Sequence, residues 1–187
     1  MPWPRLAPSE TIILLMPVTS HRRASYFSRA AMGQRLAGFI YGTIIVLAVV
    51  VAAARAYPHK AGHIAAVVGV TSVVFWLAHV YAHSLAESVA DDQHLSLARL
   101  RRIAGREASI VEAALPPFVA LLLGAFGLLS TKAAVWLAVS LGLAVLVLQG
   151  IIFARVEGLG RIATLAVVTA NLCLGLVLVC LKLLVSH

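Results

Sequence analysis

The chain has 187 residues, of which 61% are hydrophobic and only 12% are charged, with a mean hydropathy of +0.98. A soluble domain carries about twice that charged fraction. Five stretches of 19 to 26 residues hold no charge at all. Each of them can cross the apolar core of a bilayer, about 30 Å thick, as a helix. The composition therefore excludes a water-soluble fold or a disordered tail and predicts an all-α, polytopic integral membrane protein.

The charge-free stretches predict a bundle of five transmembrane helices. The domain is expected over residues 32–187, with a cytoplasmic loop at about 87–106. Residues 1–31 contain four prolines and several arginines, and they predict a weakly ordered basic leader. The five spans are expected at about residues 36–55, 61–86, 109–130, 133–154 and 162–184.

The 15 basic residues are unevenly distributed between the ends of these spans. With five spans and a cytoplasmic N-terminus, four of them face outside and eleven face the cytoplasm. Such an excess is typical of cytoplasmic segments and predicts an N-in, C-out orientation in a bacterial-type inner or plasma membrane. The net charge of +8 then indicates contact with anionic lipid headgroups, and no binding of nucleic acid. The four outer residues are Arg55, Lys60, Lys132 and Lys182.

Small residues recur at a spacing of four in two of the predicted spans. Gly38 and Gly42 lie in span one, and Ala120 and Gly124 lie in span three. In a lipid environment the hydrophobic effect does not drive helices together. Small residues stabilise helix bundles there because they let the backbones approach closely. We expect close helix contacts at both motifs, and we expect the protein to form a homo-oligomer.

Span two carries one polar stripe, since five residues at spacings of 3 and 4 fall within an arc of about 80° on a helix. Its members are Ser72, Trp76, His79, His83 and Glu87. His79 and His83 can point at one ion, and Glu87 follows one turn later. Imidazole and carboxylate suit zinc, ferrous iron or manganese. The same side chains can equally pass a proton, because histidine changes charge near neutral pH.

Span three supplies the carboxylate Glu112, about one turn inside the predicted cytoplasmic surface. Pro116 and Pro117 lack a backbone N–H, so the carbonyls of Glu112 and Ala113 lose their helical partners. A helix break beside a carboxylate resembles the ion sites of transporters. A structural interpretation stays open: Glu112 can form an ion pair with Arg35 or Arg155, and the prolines can produce a packing kink.

Further polar side chains lie in the other spans and would support such a site. The predicted topology places most of them in the cytoplasmic half of the membrane. The predicted metal ligands, for a divalent transition metal ion as the candidate cofactor, are His79, His83, Glu87 and Glu112. The supporting polar residues are Tyr41, Gln149 and Asn171. A structural interpretation also remains for the histidines, since His83 and Glu87 can simply mark the water boundary at the end of span two.

The layout resembles the vacuolar iron transporter family. Arg35 followed by residues 38–42, Gly-Phe-Ile-Tyr-Gly, is similar to the family's first-helix motif, and residues 150–155 look like the end of its fourth helix. Tyr41 stands where that family has its metal-carrying aspartate. The resemblance implies the five-helix fold more than iron transport. A weaker similarity, through Arg35, Phe39 and Gly42, is to potassium channels with an Arg-x-x-x-Phe-Ser-Asp-Gly signature.

Two functional classes remain after this reading. We expect a transporter or channel that handles a cation, either a transition metal or a proton, at a cytoplasm-facing site. The alternative is a non-transporting scaffold or an accessory subunit of a larger membrane complex. No nucleophile motif, phosphate-binding glycine loop or HExxH spacing is present in the sequence, so we do not expect an enzyme.

Overall fold

The computed structural model of the protein describes residues 20–91 and 96–185. It divides into two compact units, Met1–Gln34 and Arg35–His187. The described residues form helices and no strand, which confirms the all-α prediction. The helices are α1 (Ser20–Ala56), α2 (Ala61–Asp91), α3 (Leu97–Glu107), α4 (Ser109–Ala125), α5 (Thr131–Val156) and α6 (Arg161–Val185).

The predicted leader and the predicted cytoplasmic loop are only partly described. Residues 1–19 of the leader lie outside the described residues, and residues 20–31 are the beginning of α1. The segment 87–106 is helical over most of its described length, because α2 continues to Asp91 and α3 begins at Leu97. The Ser96 hydroxyl caps α3 by accepting a hydrogen bond from the N–H of Arg99 at 3.3 Å.

Three helical segments of the described chain are long and apolar enough to cross a membrane: Arg35–Ala56, Ala61–Val89 and Thr131–Val156. The number rises to four if α3 and α4 are one bent span, and the part of α6 searched for a span, Arg161–Val177, is a shorter apolar segment within a helix that continues to Val185. By length and composition these are the helices of a multi-pass membrane protein. The count of five spans and the orientation of the chain stay predictions.

The core of the unit Arg35–His187 is built from aliphatic side chains of α1, α2, α4 and α5. Alanines fill the space between the larger side chains, so the helices lie close together. Neighbouring helices pack as the pairs α2–α4, α4–α5 and α5–α6. The largest fully buried aliphatic side chains of these four helices are Leu47, Val50, Ile64, Val68, Leu121 and Leu146.

Both small-residue motifs lie at helix contacts, as predicted. A Cβ atom added at Gly42 would lie 3.0 Å from the carbonyl oxygen of Ile110, on the backbone of α4. A Cβ atom added at Gly124 would lie 2.5 Å from the Cβ of Ala134 on α5. Since a side chain at either position would collide with the neighbouring helix, glycine sets the distance between the helices there.

Tight turns join α4 to α5 and α5 to α6. Gly127 and Gly158 adopt φ angles of 80° and 66°, in the left-handed region that favours glycine. The N–H of Leu128 donates to the carbonyl of Leu123 at 3.0 Å, and the N–H of Leu159 donates to the carbonyl of Ala154 at 2.8 Å. These bonds close the ends of α4 and α5. Each pair of helices is therefore an antiparallel hairpin.

The predicted break at the two prolines is absent, because α4 is helical from Ser109 through Pro116 and Pro117 to Ala125. Proline is tolerated inside a helix when neighbouring helices hold the segment, and Pro117 is fully buried. The bend of 46° falls at Ala108 instead, between α3 and α4. It turns α3 so that it packs along the end of α2.

Candidate functional site

The two histidines of α2 share the same hydrogen-bonding arrangement. Nδ1 of His79 lies 3.1 Å from the carbonyl oxygen of Phe75, and Nδ1 of His83 lies 3.2 Å from that of His79. Since a carbonyl only accepts, Nδ1 carries the proton in each ring. Among the described residues neither Nε2 has a hydrogen-bond partner. Each Nε2 is therefore an acceptor that can take up a proton or bind a metal.

Four rings form a row from α1 onto α2, which we call the aromatic–histidine row: Tyr41, Phe75, His79 and His83. The ring centroids of Tyr41 lie 5.6 Å from those of both Phe75 and His79. The centroids of His79 and His83 lie 6.2 Å apart. The predicted supporting residue Tyr41 is thus next to the predicted ligand His79. The row joins the first two helices at the end where α3 packs.

A buried carboxylate lies at the end of this row. Oε1 of Glu107, the last residue of α3, lies 3.5 Å from Nδ1 of His83. The Glu107 side chain is only 8% exposed. The sites predicted from the sequence do not include this residue, because the preceding segment 87–106 was expected to be a loop. A helix over this segment could have been predicted from Ser96, because serine is a common helix-capping residue and apolar residues follow it at helical spacing.

The predicted ligand Glu87 is held by two arginines of α3. Its carboxylate accepts hydrogen bonds from Nε of Arg99, at 3.4 Å, and from the guanidinium of Arg106. The indole N–H of Trp76 also donates to the carbonyl of Ala104, at 3.1 Å, on the same helix. We call this contact between α2 and α3 the arginine seam. Two of the four arginines of α3 thus hold this helix against the end of α2, while Arg101 and Arg102 are exposed.

The predicted ligand Glu112 also has an arginine partner. Its carboxylate accepts from Arg35 of α1 at 3.3 Å, with 57% of the Arg35 and 42% of the Glu112 side chain exposed. This is one of the two ion pairs that the sequence left open. Two of the four predicted metal ligands are therefore neutralised by arginine. In the described part of the chain, no group of three His, Cys, Asp or Glu side chains could hold a metal ion.

The supporting residues Gln149 and Asn171 lie on α5 and α6, and no hydrogen bond among the described residues joins them to the aromatic–histidine row. Both are buried. Nδ2 of Asn171 donates to the carbonyl oxygen of Leu146 at 3.5 Å, which links α6 to α5. Oε1 of Gln149 is buried without a hydrogen-bond partner in the described part of the structure. Through its bond to Leu146, Asn171 therefore packs at the contact between α5 and α6.

Comparison with known proteins adds nothing to this geometry. No family model, curated protein or solved structure matches the chain. The resemblance to the vacuolar iron transporter family stays a prediction. The arrangement itself brings together two histidines of the aromatic–histidine row, the buried Glu107 and two arginine-bound carboxylates at one end of the helices. Chemically, it can accept, hold and pass protons.

Proposed function

We propose that the protein is a five-span membrane protein, N-in and C-out, of a bacterial-type inner or plasma membrane. α1, α2 and α5 would be three of the spans, with the bent pair α3–α4 and helix α6 as the others. The distribution of basic residues, eleven against four, supports this orientation. With that topology, the aromatic–histidine row and Glu107 face the cytoplasm.

A tag placed before Met1 and a tag inserted at residue 93 should both be accessible only from the cytoplasm. A tag after His187 should be accessible only from outside, since five spans put the termini on opposite sides. Reporter fusions such as alkaline phosphatase and a fluorescent protein at the three positions measure this. A cytoplasmic C-terminus would contradict both the five-span count and the N-in, C-out orientation.

We further propose that the protein handles a cation at this cytoplasm-facing site and that the cation is a proton. The observation that carries the proposal is the contact of 3.5 Å between His83 and the buried carboxylate of Glu107. In one step the Nδ1–H bond of His83 breaks and an O–H bond forms on Glu107. Nε2 of His83 takes up another proton, so the ring ends as the other neutral tautomer.

A proton fits these side chains better than a transition metal. Glu87 and Glu112, half of the predicted ligand set, each accept hydrogen bonds from arginine. A metal ion would have to displace a guanidinium from a charge-assisted hydrogen bond. A proton needs only the row of acceptors that His79, His83 and Glu107 provide.

The test is proton flux into liposomes that contain the purified protein and a trapped pH-sensitive dye, driven by a potassium diffusion potential. Wild type should acidify the lumen faster than empty liposomes do. Glu107→Gln and His83→Gln should each lower the rate about a hundredfold, the usual cost of losing one proton-transfer group. The matched control is His63→Gln, on the same helix but near its other end, which should retain the wild-type rate.

A second candidate, a non-transporting accessory subunit, is favoured by the arginine seam and by the pair of Arg35 and Glu112. In both contacts a carboxylate is bound by arginine, which is typical of ion pairs that hold helices together. For this candidate, wild type should be no faster than empty liposomes, and the variants should unfold at the wild-type temperature or below it. That outcome would overturn the proton proposal. A wild-type rate in both Glu107→Gln and His83→Gln would overturn it as well.

A further inference from the structure

A cavity opens at the end of the helices opposite to Glu107 and the arginine seam. Its volume is about 500 Å³. It lies between the turn that joins α1 to α2 and the first two turns of α5. Nothing in the proton proposal uses it. The residues that line it are Ala54, Pro58, His59, Ser130, Thr131, Lys132, Val135 and Trp136.

The polar part of the lining suits an anion. Lys132 brings a positive charge, and His59 and Thr131 bring donor groups. The hydroxyl of Ser130 is already used, since it accepts from the N–H of Ala133 at 3.2 Å. None of the described residues that line the cavity is a carboxylate. From these lining residues an anion would therefore meet one fixed positive charge and several donors.

The glutamates whose side chains are described lie at the far ends of the helices. Glu87 is near the end of α2, Glu107 and Glu112 flank the bend between α3 and α4, and Glu157 follows α5. The cavity lies beside the beginning of α5. Among the described residues, Lys132 therefore has no glutamate close to it at this end, and a positively charged cleft concentrates anions.

The other part of the lining is apolar. Ala54, Val135 and Trp136 contribute it, and Trp136 is 65% exposed. Tryptophan is enriched at the boundary between lipid and water, because its ring packs on acyl chains and its N–H reaches polar groups. A ligand with an anionic end and an apolar end would match both halves of the cavity.

We propose that this cavity binds an anionic phosphate group through Lys132 and His59. The phosphate belongs either to the headgroup of an anionic phospholipid, with an acyl chain along Val135 and Trp136, or to free inorganic phosphate. The inference needs the membrane placement of the helices and is independent of proton transfer. It assigns a binding role to the end of the molecule that carries none of the described carboxylates.

The test uses the full chain in nanodiscs of phosphatidylcholine, with tryptophan fluorescence as the signal. Phosphatidylglycerol with brominated acyl chains should quench the protein more than brominated phosphatidylcholine at the same mole fraction. Lys132→Gln should weaken this preference about fivefold, as expected for one basic residue at a membrane surface. Lys60→Gln is the matched control, because Lys60 follows His59 in the turn but does not line the cavity. Trp136→Phe should remove the difference, which assigns the signal to the cavity.

Inorganic phosphate, added to detergent-purified protein, separates the two sources. If phosphate raises the unfolding temperature of wild type but not of Lys132→Gln, and the two brominated lipids quench equally, the ligand is free phosphate. Preferential quenching that requires Lys132 identifies a lipid headgroup. If neither probe distinguishes wild type from Lys132→Gln, the proposal is overturned. An equal loss in Lys60→Gln would also overturn it, because the effect would then belong to the surface charge and not to the cavity.

Discussion

Replacement of Gly42 by leucine is expected to disrupt the packing of α1 against α4. A Cβ atom at this position would lie 3.0 Å from the carbonyl oxygen and 3.1 Å from the Cα of Ile110. These are backbone atoms of a packed helix, so they cannot rotate away as a side chain can. We expect overpacking to cost about 3 kcal/mol and to lower the unfolding temperature in detergent by about 10 °C.

The matched control for Gly42→Leu is Gly105→Leu. Gly105 lies on the exposed side of α3, and a Cβ atom there would meet nothing within 4 Å. Leucine is also a better helix former than glycine, by about 0.5–1 kcal/mol. Circular dichroism during heating should therefore show a loss only for Gly42→Leu. An unchanged unfolding temperature for that variant would show that α1 and α4 do not approach at Gly42.

The second large effect is expected for Glu87→Gln, which removes the charge that holds the arginine seam. Arg99, whose side chain is only 13% exposed, and Arg106 both bind this carboxylate, so the substitution removes the charge from two charge-assisted contacts. Breaking a fully buried pair costs about 3–5 kcal/mol. Glu87 itself is 33% exposed, and solvent screening reduces the expected loss to about 1–2 kcal/mol. Trp76 continues to anchor α3, so we expect α3 to open locally while the bundle stays folded.

Trypsin measures this opening, because it cleaves after the exposed residues Arg101 and Arg102 only when α3 detaches and unfolds. The cleavage rate in Glu87→Gln should rise about tenfold, the factor that corresponds to about 1.4 kcal/mol. Glu157→Gln is the control, since Glu157 lies exposed in the turn after α5. If both variants are cleaved at the wild-type rate, Arg99 and Arg106 do not depend on Glu87 for their place in the fold.

The helical class and several helix positions could be predicted from the sequence, because charge and hydropathy act locally. The second span was expected from residue 61 and the fourth from residue 133, close to where α2 and α5 begin. The glycine contacts were also predictable, since a spacing of four places both residues on one helix face. These features could be predicted because each is determined by one helix or by residues that are close in the sequence.

The contacts of the candidate site could not be predicted, because they depend on the direction in which α3 runs after α2, and no local sequence pattern specifies that direction. The pairing of Glu107 with His83 requires α3 to fold back along α2, and nothing local to residue 107 specifies that direction. The bend occurs at Ala108, which has neither the ring of proline nor the freedom of glycine, while two prolines nearby do not break α4. Tertiary packing decides such positions, so the arginine partners of Glu87 and Glu112 could only be proposed as alternatives.

The bend at Ala108 has a consequence for bilayers of different thickness. The N–H groups of Val111 and Glu112 still donate to the carbonyl of Ala108, at 3.0 and 2.9 Å, so the joint keeps its hydrogen bonds. Together α3 and α4 cover residues 97–125, about 44 Å of helix, against an apolar core of about 30 Å. A straight helix adapts to a thicker or thinner membrane by tilting as a whole. If α3 and α4 cross the bilayer as the one bent span proposed above, a change of angle at Ala108 would let membrane thickness act on α3 while α4 stays packed against its neighbours.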